Sequence, residues 1–157
     1  RDLVRSRGLG DVYKRQLRLQ RTEPNIGALA TALADPVNPV TAQYHLAFVA
    51  SDTFYEHTHR YPGQRHDWQA DVDPLFSHAQ TYCARIGLDL SDSDRVRLQH
   101  ACYELTRGAH SDTPSTAAYL GGVAAQEVIK ILTVQYIPLD NTCVYDGIVQ
   151  AVSSFRL

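Results

Sequence analysis

A pair of adjacent glycines inside an otherwise strong helix former, AAYLGGVAAQEVIKIL at residues 117–132, limits the folds open to this chain more than any other feature. Each glycine costs about 1 kcal/mol relative to alanine in a helix interior, because the unfolded backbone has more freedom to lose. Ala117, Gly121, Ala124, Val128 and Leu132 follow one face at helical spacing, and Ala118, Gly122, Ala125 and Ile129 follow the adjacent one. Only Gln126, Glu127 and Lys130 interrupt the apolar arc. A helix this apolar, with its smallest residues at one level, predicts burial in a core or an interface where another backbone or a ligand comes close.

The 157 residues allow one domain with a sizeable core or pieces of two. Fifteen basic and seventeen acidic residues leave a formal charge of −2 and no basic stripe, which disfavours nucleic acid and anionic membranes as partners. Glu127 and Lys130 break the longest apolar run well short of the roughly 18–20 residues a membrane span requires, so a soluble protein is expected. Cys83, Cys102 and Cys143 are far apart, odd in number and in no C-x-x-C pair. That pattern argues against a disulfide framework and a cysteine zinc site, and suits a reducing compartment, the cytoplasm or the nucleus. The chain begins with Arg and contains no Met, and is read as the tail of a longer reading frame. Its opening RDLVRSRGLGDVYKRQ, residues 1–16, is read as a non-native leader outside the fold.

Punctuation divides the remainder. PNIGALATALAD predicts a short first helix. Asn38 and Pro39 supply a cap and first residue for a second, with Tyr44, Ala47, Phe48 and Tyr55 near one face and RYPG as its stop. Asp73 and Pro74 repeat the start signal; Leu75, Ala79, Tyr82 and Ile86 follow at helical spacing, and Gly87 closes that helix. Ser91 with Asp94 forms a capping box for a fourth, which Gly108 ends. After the polar linker HSDTPS, Thr113 and Pro114 start the glycine-bearing helix. TVQYIPL, a turn at Asp140-Asn141, TCVYDG and VQAVSSFRL then predict three short strands. Two regions of different character meet near residue 112.

Candidate chemistry is sparse. EHTHRYPGQRHDW offers Glu56, His57, His59 and His66, but His57 and His59 are two apart on a helix and face different ways, so a solvated helix end and loop is expected. Trp68 reads as a packing anchor. His100 is likewise two residues from Cys102, and each cysteine reads as a small hydrophobe. Phosphate-cradling glycines precede a helix, whereas Gly121 and Gly122 lie about two turns inside one. No catalytic centre is expected from the residues themselves.

Together, TAAYLGGVAAQEVIKILTVQYIPLDNTCVYDG resembles the closing segment of the adenylation domain in activating enzymes for ubiquitin-like proteins, where a G-G, Q-E, I-K helix leads into the last strands. With RYPG at residues 60–63, Asn141-Thr142 and a chain ending just after Phe155, it is similar to the regulatory subunits of neddylation-activating enzymes over residues 22–157. The resemblance implies an α/β fold overall. Residues 17–112 would be a helical region equivalent to the catalytic-cysteine domain, and residues 113–157 the closing helix and strands of a Rossmann-like adenylation domain. It also implies a non-catalytic half of a heterodimer whose catalytic subunit binds ATP and magnesium, adenylates the ubiquitin-like modifier and carries the thioester cysteine. No catalytic, cofactor or metal residue is then expected in this chain. Tyr119, Gly121, Gly122, Gln126 and Glu127 become the residues for close packing or partner contact, with Lys130 pairing to Glu127 or Gln126. Against this stand a homodimeric sulfur-carrier-type adenylating enzyme, which would need its own nucleotide loop and usually paired C-x-x-C motifs, and a helical interaction module.

Overall fold

Asn25 caps the first described helix: its side-chain oxygen accepts from the Ala28 N–H at 3.1 Å, satisfying one of the free amides of the first turn. The computed structural model describes residues 25–35, 39–109, 111, 113–139 and 142–155. Five helices and a hairpin appear among them: α1 (Ile26–Leu33), α2 (Pro39–Thr58), α3 (Val72–Arg85), α4 (Asp92–Arg107), α5 (Pro114–Thr133), β1 (Thr142–Asp146) and β2 (Ala151–Phe155). A 3₁₀ turn over Trp68–Asp71 precedes α3. The described residues are therefore mostly helical with a small two-stranded sheet, an α/β chain overall. The proposed Asn38 cap, the turn at Asp140-Asn141 and the leader at 1–16 lie outside the described residues.

The core sits between α2, α3 and α4, with α1 laid against α2. Leu29 and Leu33 of α1, Ala42, Leu46, Ala50 and Phe54 of α2, Leu75, Ala79 and Cys83 of α3, and Leu98, Ala101 and Cys102 of α4 are all buried. Small residues alternating with Leu and Phe let the three long helices come close together. Of the α2 face read from sequence, Ala47 is buried, whereas Phe48 and Tyr55 are exposed; the face that fills the core runs instead through Leu46, Ala50 and Phe54. Aromatic residues mark a face but do not decide which face the neighbouring helices cover.

Local signals set most of the ends. Ser91 accepts from the Asp94 N–H at 3.2 Å as the capping box requires, and Gly87 turns left-handed at φ +71 after α3. The predicted start at Asp73 and Pro74 moves two residues earlier, to Val72. Pro74 is still within the first turn, where its missing N–H costs nothing. Asp71 precedes the helix without capping it, because its carboxylate serves another partner.

The hairpin is antiparallel, with Thr142 opposite Phe155 and Val144 opposite Ser153. Val144 and Asp146 point inward and the hairpin rests on α2. Asp146 closes the tip by accepting from the Ile148 N–H at 2.8 Å. TVQYIPL, expected as a strand, is not one: among the described residues it has no strand to pair with, and Tyr136 and Ile137 stay exposed. β propensity alone cannot supply the hydrogen-bonding neighbour a strand needs.

Candidate functional site

In α5 the sequence and its surroundings disagree. The helix starts at Pro114 behind Thr113, as expected, but no residue in it is buried. A side chain built on Gly121 or Gly122 would meet nothing within 4 Å, so the close approach expected at these glycines is not made by any described residue. The side of α5 turned to its own chain carries Thr116, Val123, Glu127, Lys130 and Ile131, all half-buried. Opposite it lie Ala117, Gly121, Ala125, Val128 and Leu132, which are exposed, Leu132 to 76%. The charged residues thus face inward and the smallest, most apolar residues face out.

Each residue singled out from sequence has a place in this arrangement. Tyr119 sits beside Tyr145 of β1, ring centroids 4.8 Å apart. Glu127 accepts from the Lys130 ammonium at 2.6 Å and from the Leu139 N–H at 2.6 Å. Burial would raise its pKa, but these two donors outweigh that and hold the carboxyl below the usual range. Glu127 therefore ties the segment after α5 back onto the helix, with Lys130 as the expected pair. Gln126 is exposed. Tyr119 and Glu127 are engaged within the chain, while Gly121, Gly122 and Gln126 are open.

RYPG is a structural knot. Arg60 grips both Asp71 oxygens at 2.5 Å, and the Gly63 N–H donates to Asp71 at 3.0 Å. The hydrogen-bonded guanidinium holds the Asp71 carboxyl below its ordinary range against the opposing effect of burial, and the Gly63 amide adds to this. Gly63 lies at φ +81, and a Cβ there would sit 2.1 Å from the Thr106 carbonyl oxygen at the end of α4. Only glycine meets both conditions. Arg60 also lies 5.1 Å from the Phe54 ring centroid. One carboxylate thus joins the end of α2 to the start of α3, and the Gly63 it holds lies against the end of α4. Sequence reading missed Asp71; a lone acid eleven residues from an arginine carries no local signal.

A cleft of about 480 Å³ separates the helices from the hairpin, lined by Tyr44, Phe48, Glu104, Arg107, Tyr145 and Asp146 among others. Burial, with Asp146 and Glu104 nearby, pushes the Tyr44 hydroxyl up to about 12, so it stays protonated. Glu104 and Arg107 pair at 2.5 Å on its rim.

Cysteine chemistry is suppressed by location. Cys83 and Cys102 are buried, and burial raises their thiols to about 11 and about 12, far from a reactive thiolate. His100 is exposed on the other side of α4, and Cys143 stands in β1. Trp68 packs edge-on against Tyr103, centroids 5.2 Å apart. Among the described residues no group of three or more His, Cys, Asp and Glu could hold a metal ion, and no helix is long and apolar enough to cross a membrane.

No family model matches the sequence. Individual relatives do. The chain is 32% identical over 114 residues to the NEDD8-activating enzyme E1 regulatory subunit of Gallus gallus, covering 72% of this chain and 20% of that protein. Its counterpart in Drosophila melanogaster is 33% identical over 114 residues, covering 73% and 21%. The regulatory subunit AXR1 of Arabidopsis thaliana is 27% identical over 125 residues, covering 80% and 23%. The chain spans about a fifth of the length of the curated relatives it matches. A likeness that covers nearly three quarters or more of the chain, and recurs in bird, insect and plant, leaves one assignment: the chain belongs to the family of NEDD8-activating enzyme E1 regulatory subunits.

Proposed function

We propose that this chain is part of a regulatory subunit that pairs with a catalytic subunit to activate a ubiquitin-like modifier for neddylation, and that it contributes packing surface and no catalytic group. The inverted face of α5 carries this reading. A water-facing helix should turn Glu127 and Lys130 outward, yet here Ala117, Gly121, Ala125, Val128 and Leu132 occupy the outer side. Such a face marks a surface that another element covers. The missing side chains at Gly121 and Gly122 leave room for a backbone to come close.

In this reading residues 17–112 form the helical region equivalent to a catalytic-cysteine domain, and residues 113–157 close an adenylation domain. ATP and magnesium are held by the catalytic partner. This chain offers them no cradle among its described residues: Gly121 and Gly122 lie within α5, with their amides committed to helical hydrogen bonding. In this reading the thioester cysteine is also the partner's, and the burial that raises Cys83 and Cys102 and opposes their use as nucleophiles supports it.

Co-purification of the full-length parent protein with its catalytic subunit tests the proposal, comparing wild type with Gly121→Leu/Gly122→Leu. The wild-type pair should form a stable complex that the bulky pair weakens at least tenfold, about 1.4 kcal/mol, while the variant remains folded. A wild-type protein that captures no catalytic subunit removes the subunit reading. Unchanged capture by the variant removes the glycine face from assembly.

A further inference from the structure

The His-rich stretch at the end of α2 has a partner that spacing within the stretch does not reveal. His57 meets His78 of α3, with ring centroids 5.1 Å apart and planes tilted by 31°. His78 in turn stands edge-on to Phe54, a core residue 2% exposed, at 6.2 Å. The Nδ1 of His57 lies 2.8 Å from the Thr53 carbonyl oxygen, an acceptor, so this nitrogen carries the hydrogen and fixes the ring's orientation. These contacts lie at the interface of α2 and α3, two of the three helices that build the core.

Among the described residues no carboxylate forms an ion pair with either ring; Glu56, next to His57 on α2, and Asp73, near the start of α3, are exposed. Asp71, the acid that closes this end of the interface, is taken by Arg60 and Gly63, and Arg65 also acts on it. Arg60 already lies over Phe54. On α4, Arg97 pairs with Asp94, and Arg107 and His100 with Glu104. Further along α3, Arg85 sits over Tyr82. Two protonated imidazoles would therefore face each other at about 5 Å, with no ion-paired carboxylate among the described residues.

We propose that the stacked His57 and His78 rings form an acid-sensitive latch between α2 and α3, closed while both are neutral and loosened when both take up a proton. Neutral rings stack, with exposed His57 covering half-buried His78 and His78 standing edge-on to Phe54; charged rings repel and uncover His78. Burial and the neighbouring His57 lower the pKa of His78, in keeping with this arrangement.

NMR titration of the imidazoles in the full chain, with urea unfolding at about pH 7.5 and about pH 5.5, tests the latch on either side of the ordinary histidine range. In His57→Phe the His78 titration should move up by at least about 0.3 pH units, and the fall in urea midpoint on acidification should shrink by about half or more. His78→Phe keeps an aromatic ring on Phe54 with no proton to gain, and should shrink that fall similarly. A His78 titration that ignores the loss of His57, or a midpoint in His78→Phe that falls as far as in wild type, overturns the proposal. Should His57→Phe fail to fold, His57→Gln provides the same titration readout.

Discussion

Residues 25–109 and residues 113–155 obey opposite rules of burial. In the first region Leu, Ala and Phe at helical spacing point into one core, and among its described residues Asp71 is the only buried charge. In the second, the apolar arc of α5 points out and Glu127 points in. Eleven of the seventeen large apolar side chains exposed among the described residues lie after residue 113. Both regions have helices with sound starts, so the contrast is one of partners and not of helix formation. Amphipathic spacing shows that a face needs covering; only a neighbouring element decides whether it is covered within the chain.

The contrast can be broken most sharply by truncation. Leu98→Ala or Leu46→Ala in the helical core should cost about 2–5 kcal/mol, since each side chain is fully buried. Leu132→Ala on α5 should change the stability of the chain alone by no more than about 0.5 kcal/mol. Urea denaturation of the three variants measures both, and equal losses would end the distinction.

Gly63→Ala probes the knot next. The left-handed backbone and the 2.1 Å approach to the Thr106 oxygen together predict a loss of about 2–3 kcal/mol, read from the same denaturation curves. The two glycines of α5 should respond with the opposite sign: Gly121→Ala and Gly122→Ala each have open space and helical surroundings, and should stabilise the isolated chain by roughly 0.5–1 kcal/mol. Any alanine that stabilises the chain alone yet weakens a complex would sharpen the comparison further.

The smallest effect concerns pH. Burial lowers the pKa of His45 on α2, whose ring meets Phe155 of β2 edge-on at 6.1 Å. The folded chain keeps this histidine neutral while the unfolded chain takes up a proton. Its contribution is thus complete above the ordinary histidine pKa of about 6.5 and is lost as pH falls below that value. His45→Phe should reduce the acid dependence of the unfolding midpoint, measured between about pH 7.5 and about pH 5.5, with little change at the upper end.

Much of the helical region was legible residue by residue. Ser91 with Asp94, Gly87 after α3 and Pro114 at the start of α5 are written within a few positions of the features they produce, and so is the Glu127 to Lys130 pair. The candidate site was legible only in part. Spacing marked Gly121 and Gly122 as unusual but not which side of α5 would be left open, and Glu127 turned out to hold Leu139. TVQYIPL has strand composition without a strand's neighbour, and α5 ends on Val134 at φ +54, a left-handed conformation that a β-branched residue adopts at a cost.

Sequence by itself determined the helices, the Ser91 cap and the apolar arc of α5, because helical hydrogen bonds and caps join residues no more than about four positions apart. Tertiary structure decided the rest: Arg60 with Asp71, His57 with His78, the burial of Leu46 in place of Phe48, and the outward turn of the glycine face. These depend on where whole helices lie relative to one another, and that placement follows from the packing of many side chains at once rather than from the spacing of any few.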